Sequence, residues 1–158
     1  MKHIIPTTAC VIFGLACMAC LALHPAFRLV QATSQTWIAG IPGGGSGTEY
    51  SFKVVIHTKE TIRFDSAWMN GKGFTIQAVK GKQYDPKSML MKNDTVDLRV
   101  SDNIAGHMPG EEQKVVSSPK INPPVALKGA ALIRYYLNNK LHYFHVQSIQ
   151  KLTALNRP

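Results

Sequence analysis

The clearest alternation of apolar and polar positions lies near the end of the chain, where two runs rich in Ile, Leu, Val, Tyr and Phe flank Asn138-Asn139. Asn tolerates the positive φ of a two-residue type I′ turn, so the two runs are expected to form a β-hairpin. With the turn at the Asn pair, Leu137 faces Lys140, Tyr135 faces His142, Ile133 faces Phe144 and Ala131 faces Val146, which makes one apolar face at period two. The other face carries Leu132, Arg134 and Tyr136 opposite His145, Tyr143 and Leu141. A second alternation starts at Glu49, with Tyr50, Phe52, Val54 and Ile56 on one side and Ser51, Lys53, Val55 and His57 on the other. Ile62, Phe64 and Trp68 read as a further strand with Arg63 and Asp65 outward and a bulge near Ser66 and Ala67, which makes Trp68 a core plug. Asn70-Gly71 then turns this strand into Phe74 to Val79, where Phe74, Ile76 and Ala78 alternate.

Between these strands and the last hairpin the pattern weakens. Lys80 to Lys92 reads as a loop with a weak strand or helical turn at Ser88 to Met91, followed by alternation of Val96, Leu98 and Val100. Ser101 to Pro124 holds Gly106, Pro109-Gly110, Pro119 and Pro123-Pro124, a long loop that a short edge strand at Gln113 to Val116 would interrupt. The expected fold is therefore all-β, an antiparallel immunoglobulin-like sandwich of about seven strands, with a partly open barrel as the alternative.

The N-terminus changes the picture of where this fold resides. Met1-Lys2-His3 leads into the apolar run Ala9 to Leu23 and then to Val30-Gln31-Ala32, the layout of a secretory signal cleaved after Ala32. The expected organisation is a signal segment at 1–32, a Gly-rich tether at 33–48, a β-sandwich at 49–152 and a tail at 153–158. A retained membrane helix wants about 20 apolar residues, more than Ala9 to Leu23 provides. Lipidation at Cys17 or Cys20 lacks the aliphatic residue usual three positions earlier. Membrane attachment would come only through this segment, retained or lipidated. The three cysteines, Cys10, Cys17 and Cys20, all precede residue 33, so the processed chain would hold no disulfide and depend on a packed core. Losing Lys2 and Arg28 from 18 basic residues leaves 16 against 9 acidic ones, a net +7. That balance favours anionic partners by long-range attraction. The charges are dispersed without a basic run, which speaks for solubility and against a specific nucleic-acid site.

Three segments carry a resemblance: Trp37 with Pro42-Gly43-Gly44-Gly45-Ser46-Gly47-Thr48-Glu49-Tyr50, then Phe64 to Lys72, then Lys128 to Tyr136. Together they resemble a group of small exported proteins of Bacteroidetes bacteria. The resemblance implies an envelope or secreted location and an all-β fold. It transfers no functional residue.

Candidate chemistry is sparse. The glycines of 40–47 lack the Lys-Ser or Lys-Thr of a phosphate loop and run into a strand instead of a helix. His142 and His145 stand three apart on a strand and point to opposite faces, and His57 and His107 have no ligand spacing toward them, so neither metal nor cofactor is expected. No Gly-x-Ser-x-Gly elbow is present, and neither Asp94 with Asp97 nor Glu111-Glu112 makes a pair facing a cleft. Asn93-Asp94-Thr95 reads as a turn before a strand. The expectation is a non-catalytic binding or structural module of the bacterial cell envelope, periplasmic or at the cell surface, with an envelope protein or polysaccharide as partner. The alternatives are an enzyme whose site is assembled from distant residues and a polyanion- or polysaccharide-binding protein. Arg134, Tyr136, Tyr143 and His145, gathered on the outward face of the last hairpin, are the candidate binding residues, since Tyr offers amphipathic area and Arg a fixed fork of donors.

Overall fold

The computed structural model describes residues 25–41, 43–81, 83–84, 89–104 and 122–157. These residues form strands β1 (Phe27–Ala39), β2 (Ser46–Ile56), β3 (Ile62–Met69), β4 (Lys72–Thr75), β5 (Gln77–Lys80) and β6 (Gln83–Tyr84). They continue with β7 (Thr95–Ile104), β8 (Ala131–Leu137), β9 (Lys140–Val146), β10 (Gln150–Lys151) and β11 (Leu155–Arg157), and no helix occurs among them. The larger sheet runs β10-β1-β2-β7-β5-β6 with β11 also on β1, and the smaller runs β4-β3-β8-β9. Two open sheets sharing one hydrophobic interior, antiparallel except where β10 and β11 join β1 in parallel, make this the expected all-β, sandwich-like class. Gln113 to Val116, Ser88 and the segment 1–24 lie outside the described residues, and Met89 to Met91, the rest of the weak strand or helical turn expected at Ser88 to Met91, adopt neither form.

The core is built from alternate positions of both sheets. Phe52, Val54 and Ile56 of β2 and Val96, Leu98 and Val100 of β7 face Ile62, Phe64, Ala67 and Met69 of β3 and Ala131 and Ile133 of β8. The last hairpin adopts the expected register throughout, from Leu137↔Lys140 to Ala131↔Val146. Its turn residues have φ of 47° at Asn138 and 61° at Asn139, and the β3–β4 turn has 52° at Asn70 and 72° at Gly71. Both turns therefore have the positive φ at each central residue that lets a tight turn match the strand twist.

Five differences from the sequence reading have local causes. β1 spans the expected boundary at Ala32: Phe27 is 2% exposed, and its ring meets Phe64 and Tyr135 at 5.1 Å and Phe144 at 5.0 Å. The expected tether at 33–48 holds the second half of β1, a Gly-rich turn closed by Ala39 N donating to Gly45 O at 3.0 Å, and the start of β2. Phe74 to Val79 is two strands in different sheets, β4 on β3 and β5 on β7, with buried Ile76 at the crossing donating to Asp65 O at 2.9 Å. The bulge between Phe64 and Ser66 shifts the phase of β3 by one residue, so Ala67 and Met69 point into the core and Trp68 pairs with Leu132 on the outer face. Trp68 is buried all the same, at 5% exposure. Finally, the expected tail carries β11, which pairs in parallel with Trp37, Ile38 and Ala39. Gly40 N donates to Arg157 O at 2.6 Å, and the Arg157 guanidinium reaches Glu49 at 2.6 Å and sits 4.7 Å over the Trp37 ring.

Phe27 touches three rings that belong to the opposite sheet, and its removal leaves a cavity where they now meet. Phe27→Ala should lower the unfolding free energy by about 3 to 5 kcal/mol in a denaturant titration; a change within experimental error would show that β1 packs outside the core.

Candidate functional site

The outward face of the β8–β9 hairpin gathers Arg134, Tyr136, Tyr143 and His145 as the register requires, with Arg134 opposite Tyr143 and Tyr136 opposite Leu141. Each of three has an internal partner. Arg134 donates from Nε to Asp65 Oδ2 at 2.7 Å, from Nη2 to the same oxygen, and from Nη2 to Ser66 Oγ at 3.0 Å. Its guanidinium lies 5.3 Å over Trp68, and that of Arg63 lies 4.5 Å over Tyr136. His145 Nδ1 accepts from Lys128 N at 3.3 Å. A guanidinium held by a carboxylate, a hydroxyl and an indole has its fork committed to β3, so its first role is to cover Trp68.

His142 lies on the opposite face, stacked on Tyr135 at 5.3 Å. No cluster of three or more His, Cys, Asp or Glu able to hold a metal occurs among the described residues. His107 and Glu111-Glu112 lie outside them.

A different site forms where the core runs out. Along β1 the inward positions change from Phe27, Leu29 and Ala32 to Ser34 and Thr36, which pair with Tyr50 and Thr48 of β2. The smaller sheet stops short of these residues at the Asn70-Gly71 turn, and the gap is a cleft of about 330 Å³. It is lined by the hydroxyl-bearing residues Ser34, Thr36, Thr48 and Tyr50, by Asn70 and by Lys151, with partly buried Ile149 supplying apolar surface and core residue Met69 behind. Lys151 pairs with Ser34 in β10, and residues paired across strands share a face, so Lys151 belongs to the cleft side of the sheet.

Charge and hydrogen bonding in the cleft are partly committed. Asn70 donates to Tyr50 Oη at 3.0 Å. Burial, with the nearby Asp102 carboxylate, raises the Tyr50 pKa against the opposing effects of Asn70 and Lys72. Tyr50 therefore keeps its proton and has a donor to offer. Asp102, across from Thr48, is neutralised by Lys72 Nζ at 2.9 Å. Thr36 and Thr48 hydroxyls stand 3.5 Å apart. Lys151 makes no salt bridge among the described residues.

A wider groove of about 490 Å³ crosses the outer face of the larger sheet below Leu152. Its charges are mutually satisfied: Asp97 takes hydrogen bonds from Ser51 and from Arg99 at 2.8 Å, and Glu49 takes Arg157. Convergent groups with spare donors favour the cleft between the sheets over this groove. Searches against family models, curated proteins and solved structures return no match for the chain.

The Asp65 network generates a pH dependence. Partial burial pushes the Asp65 carboxyl up, but the Arg134 hydrogen bond, the Ser66 hydroxyl and the charges of Arg134 and Arg63 outweigh it and hold the group below its ordinary value. A carboxyl depressed by folding stabilises above its unfolded pKa and loses that contribution as pH falls through the folded one. The wild type should therefore weaken below about pH 4. Asp65→Asn should be less stable at neutral pH and show a flatter acid limb in urea midpoints; Asp94, held low by Lys80 and Met91, preserves some slope in the variant. An unchanged acid limb would mean that Asp65 is solvated.

Proposed function

We propose that this chain is an exported, non-catalytic binding module of the bacterial cell envelope, an immunoglobulin-like sandwich whose ligand occupies the hydroxyl-lined cleft at the open end between its sheets. The observation that carries this reading is the change of the inward row of β1 from apolar side chains to Ser34 and Thr36 opposite Tyr50 and Thr48. Burying hydroxyls beside a sandwich core costs free energy unless water or a ligand satisfies them, so a row of them facing a cleft is the signature of an occupied or wet site. Export is supported by the basic start and apolar run Ala9 to Leu23, and by the resemblance to small exported proteins of Bacteroidetes.

Processing has to respect β1. Cleavage after Ala32 would remove Phe27, whose ring joins both sheets. The proposed mature chain begins upstream of Phe27, and any membrane anchor lies in the segment before it.

Two measurements test the reading. Intact-mass analysis of the protein in its native cell should find an envelope-fraction product starting before Phe27, with or without lipid mass on Cys17 or Cys20; full-length chain in the cytoplasm contradicts export. Purified protein should be retained on isolated envelope material, and the Thr48→Val, Tyr50→Phe double variant should lose that retention with a melting temperature shifted by no more than a few degrees. Undiminished retention would take the binding site out of the cleft.

A further inference from the structure

Resting on the cleft as the binding site, we infer that its ligand is an acidic saccharide unit, a hydroxylated ring bearing one carboxylate, and that the short strand β10 supplies the cation that reads the acid. The cleft offers three kinds of surface in one volume of about 330 Å³. Ser34, Thr36 and Thr48 present hydroxyls, each able to donate and accept, which matches sugar hydroxyls that also do both. Ile149, only partly buried, gives an apolar side chain beside them for the C–H face of a sugar. Lys151 gives a single ammonium, placed beside Ser34 by the parallel pairing of β10 with β1.

The charge balance of the site selects among ligands. Asp102 would repel an acid, but Lys72 neutralises it, with Nζ at 3.1 and 2.9 Å from its two oxygens. Lys151 is then the charge of the cleft without an ion-pair partner among the described residues, and it favours one carboxylate over a neutral sugar through a charge-assisted hydrogen bond. A phosphate site would instead converge several N–H donors or cations on one point, as helix termini and arginine forks do. Here one ammonium stands beside a row of hydroxyls.

The cation therefore arrives with the short strand that covers part of β1. Both residues of β10 are exposed, and Leu152 N donates to Ser34 O at 2.8 Å just after it. The same short segment that covers the β1 edge finishes the site.

The test is an amide chemical-shift titration of the mature full chain with glucuronate, glucose and inorganic phosphate as probes, repeated on Lys151→Gln. Glucuronate should shift Ser34, Thr36, Thr48, Asn70 and Lys151 and bind about tenfold more tightly than glucose, and Lys151→Gln, an exposed position, should reduce glucuronate to the level of glucose with an unchanged melting temperature. Equal binding of glucose and glucuronate in the cleft, indifferent to Lys151, overturns the acidic ligand and leaves the cleft as a site. Phosphate binding there as tightly as glucuronate overturns the sugar. Shifts in the cleft from none of the three probes overturn this inference, while retention on envelope material, lost in the Thr48→Val, Tyr50→Phe variant, separately decides whether the cleft binds at all.

Discussion

The contact on which the rest of the structure depends is the insertion of Phe27 between the two sheets. Its ring belongs to β1, the strand of the larger sheet that is covered only by short pieces, and it packs edge-on against Phe64 and Tyr135 of the smaller sheet. Aromatic edge-to-face pairs add to the area they bury, and here two of them share one ring. The neighbouring positions follow from it. With Phe27 inward, period two puts Leu29 inward, the irregularity between Leu29 and Gln31 resets the phase, and Ala32, Ser34 and Thr36 become the inward row. The core therefore ends, and the polar cleft begins, at a point set by how β1 is anchored at its start.

β1 is also where the fold meets the liability of an open edge. A thirteen-residue strand at the margin of a sheet offers unpaired N–H and C=O groups to any passing chain. β10 and β11 cover it in parallel, with pairings at Thr33, Ser34 and Trp37 to Ala39. Gly47 belongs to the same arrangement: a Cβ there would come within 2.7 Å of Trp37 Nε1 and of Asn103 Oδ1, so the glycine lets Trp37 lie flat under Arg157. Edge protection and completion of the cleft are thus performed by one segment.

Much of the architecture was legible where side-chain period and turn chemistry agreed. The β8–β9 register followed from Asn138-Asn139 alone, because a two-residue turn leaves one way to pair the flanking strands. The face of Trp68 did not, since the bulge was visible near Ser66 but its effect on phase depends on which residue is left unpaired. β1 was missed for two reasons. Its apolar start continues a hydrophobic N-terminal stretch that resembles a signal, and its later inward positions are Ser and Thr, which erase the alternation. The same hydroxyls line the cleft, so the feature that hid the strand is the feature that makes the site. A row of small polar residues at period two opposite Tyr50 was the available signal. β11 carried none: its three residues are exposed, and its place depends on backbone pairing and on Arg157 finding Glu49 and Trp37.

Amide hydrogen exchange followed residue by residue tests the role of β1 most directly. If β1 is integral to the sandwich, its amides bonded to β2 open only with the whole domain, at the same free energy as those around Phe52 and Leu98, while β10 and β11 exchange earlier by local opening. Exchange of Phe27 to Ala32 at the rate of a fraying terminus, with Phe52 and Leu98 still protected, would contradict it.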